Sequence, residues 1–215
     1  MSRKALIVQG GWEGHEPGEC ADFWASVLAQ EGFEVRVSPT MDSYKDAKAM
    51  AALSLIVPVW TMGTIEADQL QGLSDAVAGG VGIAGWHGGM ADSFRDSPAY
   101  QFLVGGQFIS HPDGIKDYQV DIVMRDDPIV AGLENFSVRS EQYYMHVDPG
   151  NEVLATTTFN AESAPWVTGT VMPVAWKRRW GEGRVFYSSL GHKAADFEVA
   201  EVREIQRRGM LWASR

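Results

Sequence analysis

The sequence predicts an α/β domain built on a mainly parallel sheet covered on both faces by helices. Three observations predict it. Strand-like runs at 4–9, 34–38, 53–60 and 81–86 alternate with helical periodicities at 18–31 and 65–78, and strands that alternate with helices pair in parallel. The run Val81-Gly82-Ile83-Ala84-Gly85-Trp86 breaks abruptly into His87-Gly88-Gly89, which reads as a buried strand entering a sharp elbow. The chain of 215 residues, 45% of them hydrophobic, is long enough for one α/β domain with a substantial core.

The first strand leads into Gly10-Gly11-Trp12-Glu13-Gly14-His15-Glu16-Pro17, and a helix follows with Phe23, Val27 and Leu28 on one side and Gly32 as its stop. After the second strand a polar segment, 40–48, precedes the third, whose Pro58 belongs at the strand end because it has no N–H for a ladder. Helix-forming residues, Met90 to Phe94, follow the elbow, and 92–108 reads as helix and loop. The pattern then changes: strands at 118–124, 140–146, 153–159, 172–177 and 184–190 add antiparallel or mixed pairing, with a turn and a short helical piece at 127–133. A last amphipathic helix, 197–213, carries Val199, Val202, Ile205 and Leu211 at core spacing. Repeats, low-complexity tracts and domain linkers are absent from the pattern, so one domain over 1–215 is expected.

The net charge of −10 argues against nucleic acid or an anionic membrane as the main partner. No apolar run reaches membrane-span length. Met1-Ser2-Arg3-Lys4 is a basic start, but the apolar run behind it ends by Val8, as a first strand does and a signal peptide does not. A single cysteine, Cys20, excludes an internal disulfide and fits a reducing cytoplasm; it reads as a buried or half-buried bystander. Eight Trp, nine Phe and six Tyr exceed ordinary core needs and suggest an aromatic-lined cleft. Late strands with exposed aromatics would allow a homo-oligomer.

All five histidines lie at segment ends: His15 after the first strand, His87 on the elbow, His111 before Pro112, His146 at the end of 140–146 and His192 after the last strand. Ligands in open α/β sheets bind at the carboxyl ends of strands, so the set points to one polar cleft. For each histidine alone, a locally bonded turn residue is the competing reading. Two chemistries suit the cleft. Imidazoles with a carboxylate bind zinc or a similar divalent ion; alternatively they act as metal-free acid and base, tuned by Glu13, Glu16 or Glu141. The spacings match no compact metal motif, and G-x-S-x-G, G-x-G-x-x-G and the P-loop lysine are missing, so neither a serine nucleophile nor a nucleotide cofactor is expected. Trp12, Trp60, Trp86, Tyr143 and Tyr144 flank the cleft, where aromatic faces suit a sugar ring; core packing is the alternative.

These segments together resemble the ThuA (trehalose-utilisation) family of the class I glutamine amidotransferase-like superfamily. The resemblance is carried in order by Trp12-Glu13-Gly14-His15-Glu16, Gly85-Trp86-His87-Gly88-Gly89, Gly105-Gly106-Gln107-Phe108-Ile109-Ser110-His111-Pro112, Asp127-Pro128-Ile129-Val130-Ala131-Gly132-Leu133, Glu141-Gln142-Tyr143-Tyr144, Pro173-Val174-Ala175-Trp176, Gly183-Arg184-Val185-Phe186-Tyr187 and Leu190-Gly191-His192. It implies a flavodoxin-like three-layer sandwich, with the central mainly parallel sheet extended by antiparallel strands. In amidotransferases the elbow is G-x-C-x-G; here His87 occupies the cysteine's place, while Leu190-Gly191-His192 resembles the segment bearing the partner histidine. Amidotransferase activity is therefore not expected.

The family implies carbohydrate metabolism, with a trehalose-like disaccharide or its keto derivative as substrate, but not a particular reaction; the expectation for this chain is hydrolase- or isomerase-type chemistry on sugars. The expected catalytic groups are His87, His192, Glu141 and Glu13. Trp12, Trp60, Trp86, Tyr143 and Tyr144 are expected to bind the sugar, and His15, His87, His146 and His192 to hold a divalent metal such as zinc. His111 is a weaker member, because Pro112 suits a structural turn. The competing readings are a non-catalytic sugar-binding or sensing protein and a protein-interaction subunit.

Overall fold

In the computed structural model, residues 3–215 are described; Met1 and Ser2 of the basic start lie outside them. The chain begins with β1 (Arg3–Gly11), α1 (Pro17–Gln30), β2 (Phe33–Ser38), the short α2 (Ala47–Ala51), β3 (Leu55–Thr61), α3 (Ala67–Ala78) and β4 (Gly82–Trp86). After the elbow come α4 (His87–Ala91), α5 (Pro98–Val104), β5 (Gly106–Ser110), β6 (Ile115–Ile122), β7 (Phe136–Glu141), β8 (Tyr144–Val147), β9 (Glu152–Thr158), β10 (Val171–Trp180), β11 (Gly183–Ser188) and α6 (Ala200–Ala213). Among the described residues the main sheet has nine strands in the order β2-β1-β3-β4-β11-β10-β9-β6-β7, and β5 and β8 form a separate antiparallel pair. β2, β1, β3, β4 and β11 are mutually parallel, and the strands from β10 to β7 join antiparallel. No described helix is long and apolar enough to cross a membrane.

The three layers follow from the two-residue period of strand side chains. Ala5, Ile7, Leu55, Val57, Ala84, Trp86 and Phe186 face one side and form a core with Trp24 and Leu28 of α1 and Val202 and Ile205 of α6. Their neighbours Leu6, Val8, Ile56, Ile83, Val185 and Tyr187 face the other side, against Leu73 and Val77 of α3 and Tyr100 and Leu103 of α5. Pro17 opens α1 at a position where its missing N–H costs nothing. A capping box between Glu66 and Gln69 starts α3.

Several sequence expectations need correction. Pro58 lies inside β3, not at its end. Ladder pairing of β3 with β4 stops after Leu55 and Ile56, so one flank of the strand needs no donor at Pro58. The buried face of α1 is Cys20, Ala21, Trp24 and Leu28, with Phe23 and Val27 only half-buried. The polar segment 40–48 contains a whole 3-10 turn (Met41–Lys45) and the start of α2. The elbow helix covers His87–Ala91 rather than 90–94; beyond it Ser93 bridges to Met62 and Phe94 takes a positive φ of 49°. Within 92–108, Gly106 begins a strand. Residues 127–133 form hydrogen-bonded turns without a helix.

The proposed strand 140–146 is two strands in two sheets, with Gln142 and Tyr143 between them. β6 holds β9 through only two residue pairs, Asp121–Thr156 and Ile122–Ala155. The β6–β7 hairpin continues the sheet beyond β9, and its Tyr118, Val120 and Val138 join the core on the α1/α6 side. The pairing directions make β7 parallel to β11, so Glu141 ends at the same rim as the central strands.

α6 packs tightly enough on β11 to reverse the usual effect of a helix glycine. A Cβ at Gly209 would lie 2.2 Å from Cε1 of Phe186, whose ring is fully buried. Gly→Ala inside a helix gains about 0.5–1 kcal/mol from backbone entropy, whereas overpacking a core costs about 1–3 kcal/mol. Gly209→Ala should therefore destabilise the fold, lowering the urea midpoint without changing the slope. A raised midpoint would show that the contact is looser than described.

Candidate functional site

Five parallel strands bring their carboxyl ends to one rim, and functional side chains leave from three of them. Beyond β1, Gly11 turns at φ 80° into a 3-10 turn, Glu13–His15, that buries His15. β4 ends at Trp86, and His87 directly after it takes φ 43°. A non-glycine residue in this region costs about 1–3 kcal/mol and persists only where its surroundings hold it. Here Tyr187 Oη donates to the His87 carbonyl at 3.1 Å, and Gly88 gives the space, since a Cβ there would meet His15 Cε1 at 2.4 Å. Beyond β11, Gly191 at φ 94° turns His192 inward. From the far side the end of β7 supplies Glu141.

These side chains converge. His87 Nε2 lies 3.1 Å from Glu141 Oε2 and 3.3 Å from His192 Nδ1. His192 Nδ1 is 3.3 Å from the same carboxylate oxygen, and His15 Nε2 is 3.9 Å from it. The four donor atoms of His15, His87, Glu141 and His192 all lie within 4.8 Å of one another. Metal–nitrogen bonds of about 2.0–2.1 Å in a tetrahedron place donors about 3.3–3.4 Å apart. The His87–His192–Glu141 triangle has edges of that size, and His15 forms a looser fourth corner.

Protonation sharpens the point. His87 Nδ1 lies 2.7 Å from the Ser189 carbonyl, which can only accept, so Nδ1 carries a proton. Burial lowers the pKa of His87, against the opposing pull of Glu141 and Ser189, and the neutral ring turns its Nε2 lone pair toward a carboxylate oxygen. Burial, with the imidazoles of His87 and His192, lowers His15 to about 3 against the pull of Glu141; His15 Nδ1 is tied to Thr61 Oγ1 at 2.8 Å. Burial alone would raise the Glu141 pKa, but the His192 and His87 rings outweigh it and hold the carboxyl well below the usual range. With its proton on Nδ1, His192 can bridge to Glu141 Oε2 or His87 Nε2; in its other tautomer the Nδ1 lone pair faces the same point, and the set then suits a divalent ion.

Around the cluster, Tyr143 is buried and stacks on His87 at 3.9 Å between centroids, and Phe108 packs on Tyr143 at 4.4 Å. His111, with its side chain 40% exposed, places Nε2 3.6 Å from Glu141 Oε1, the second carboxylate oxygen. Trp12 is 47% exposed and meets His15 edge-on at 4.8 Å.

The remaining predicted site residues lie elsewhere. His146 is exposed on β8 opposite Gln107, because the buried position of that strand is Met145. Glu13 is exposed at the start of its 3-10 turn, outside the donor cluster. Trp86 is buried among Trp24 and Phe197, since the strand period sends it to the α1/α6 face. Tyr144 packs on Phe159, and half-buried Trp60 covers Gly10 and Gly63. The residues that sequence reading missed are Thr61 and Ser189, which hold the second nitrogens of His15 and His87. Their positions at the ends of β3 and β11 are the only signal that marks them.

The chain matches the family described as ThuA, trehalose utilisation, over residues 4–213. No curated protein matches it. Its fold is similar to that of a ThuA-like protein from Bacteroides uniformis, at 18% identity and a TM-score of 0.82, covering 98% of this chain and 91% of that one. A ThuA-like protein from Parabacteroides merdae is similar at 16% identity and a TM-score of 0.75, covering 99% and 90%. A protein of Salmonella typhimurium LT2 described as cytoplasmic is similar at 14% identity and a TM-score of 0.68, covering 99% and 100%.

The depressed histidine pKa values fix a sign for acid stability. The folded, metal-free chain keeps His15 neutral down to about pH 3, whereas the unfolded chain takes up that proton below 6.5. Protons therefore favour unfolding, and stability present above pH 6.5 is lost as pH falls toward about 3. Chelator-treated protein should show a urea midpoint that drops across this window, with a smaller drop for His15→Gln. A midpoint independent of pH there would mean that the rings are already charged in the fold.

Proposed function

The chain belongs to the ThuA family of trehalose utilisation, and from that premise we propose that it is an enzyme acting on a trehalose-like disaccharide or its keto derivative at a divalent metal. The observation that carries the proposal is the convergence of three imidazoles and one ionised carboxylate on one point at the sheet rim, beside an exposed tryptophan. His87 Nε2, His192 Nδ1 and Glu141 Oε2 would hold the ion, zinc or one like it, with His15 Nε2 as the looser ligand. Bound there, the ion supplies Lewis acidity that polarises a sugar carbonyl or hydroxyl oxygen. The carbonyl of Ser189 and the hydroxyl of Thr61 keep His87 and His15 in one tautomer and orientation.

Trp12 stands beside His15, the loosest of the four corners, with an exposed indole suited to the apolar face of a sugar ring. On the other side, Glu141 Oε1 and His111 Nε2 bracket a position where a substrate hydroxyl proton can be held. Tyr143 and Phe108 back the cluster and exclude water from behind His87. A buried, unpaired Cys20 accords with a cytoplasmic location.

Reconstitution with zinc or cobalt tests the proposal. One ion per chain is expected, with His87→Ala and His192→Ala losing it, and Trp12→Ala binding metal normally but raising KM for the disaccharide. Wild-type protein that binds no divalent ion would overturn the metal reading. A metal-loaded protein that binds trehalose or its keto derivative and never turns either over would instead make it a sensing protein.

A further inference from the structure

We propose that Asp196 is the positioning residue of the metal site, clamping the loop that bears His192 to the strand end that bears Glu141. The proposal rests on the metal reading above. It begins from a difficulty in the architecture: the donors come from four chain segments with no common element. β7, which carries Glu141, is separated from β11 by three other strands in the main sheet. His192 lies in irregular backbone between the end of β11 and a 3-10 turn, Ala194–Glu198.

One oxygen joins them. Asp196 Oδ2 accepts the hydroxyl of Ser140, the residue before Glu141, at 2.7 Å, and the backbone N–H of His192 at 3.0 Å. The next turn of the loop is tied to the His15 segment in the same way. Glu16 Oε2 accepts the Ala194 N–H at 3.2 Å, and its other oxygen pairs with Lys193 at 3.4 Å. Glu16 holds a left-handed φ of 50° directly after His15, a conformation that local preference disfavours. The loop also presents the Ser189 carbonyl to His87. Loop 189–196 is thus the hub through which every donor segment is oriented, and Asp196 makes its link to Glu141.

Both Asp196 bonds go to a single oxygen, so the role needs an acceptor at that place rather than a charge. Asparagine supplies one and alanine does not. Truncation is also sterically quiet, because Asp196 and Ser140 line a cavity of about 190 Å³ walled by Val138, Leu190, Val199 and Val202. Loss of such outer partners typically costs about 10–100-fold in metal affinity.

Cobalt and zinc titrations of the full chain against a chromophoric chelator test this. Asp196→Ala should weaken binding by about 10–100-fold and alter the cobalt d–d bands, while Asp196→Asn restores both. Ser140→Ala, which removes one of the two bonds, should fall between. In metal-free protein the ring nitrogen signals of His192 and His87 should move in Asp196→Ala and stay in place in Asp196→Asn. Folded Asp196→Ala with wild-type affinity and unmoved ring signals overturns the proposal. Should Asp196→Ala fail to fold, Ser140→Ala with wild-type affinity and signals overturns it equally. Wild-type protein that binds neither metal defeats the metal reading alone, and the ring signals of the metal-free variants then decide the clamp.

Discussion

The Ser189 carbonyl takes the only proton of a neutral His87, and much of the site follows from that bond. With Nδ1 committed, Nε2 must present a lone pair, and it presents it to an ionised Glu141 oxygen 3.1 Å away. His192 adds a ring nitrogen at 3.3 Å from both. A proton on His192 Nδ1 can bridge the group in the metal-free chain, and with that nitrogen unprotonated the same atoms face one point as a donor set that suits a divalent ion.

Sheet topology is what makes the gathering achievable. Parallel strands put successive carboxyl ends on one rim, so β1, β4 and β11 deliver His15, His87 and His192 without long excursions. The elbow after β4 concentrates the strain, with His87 in left-handed backbone held by Tyr187 and accommodated by Gly88. Glu141 arrives by another route. The β6–β7 hairpin, at the antiparallel end of the sheet, returns its last residue to the rim. An acid from outside the parallel set joins three histidines from inside it.

The parallel half of the fold was legible because its strands and helices carry different periods and glycines mark their ends. The elbow was legible for the same reason. Convergence of His15, His87 and His192 could be read from strand ends alone, since parallel strands leave few other places for them. Direction could not. His146 also ends a strand, but β8 belongs to the small sheet, and its period buries Met145 and turns His146 outward. Trp86 precedes His87 in sequence yet faces the opposite layer, because one residue reverses the side of a strand. The run Glu141-Gln142-Tyr143-Tyr144 looks continuous in polarity, so the break that moves Tyr143 under His87 and Tyr144 onto Phe159 had no local signal. Glu13 lies two residues before His15, yet the 3-10 turn buries His15 and leaves Glu13 exposed.

The central claim is that His87, His192, Glu141 and His15 bind one divalent ion together. X-ray absorption at the zinc edge of the reconstituted protein tests it most directly. The account predicts a first shell of nitrogen and oxygen at about 2.0–2.1 Å, with outer-shell scattering from two to three imidazole rings that is lost in His87→Ala. A shell of oxygen alone, or imidazole scattering unchanged by that substitution, would contradict it.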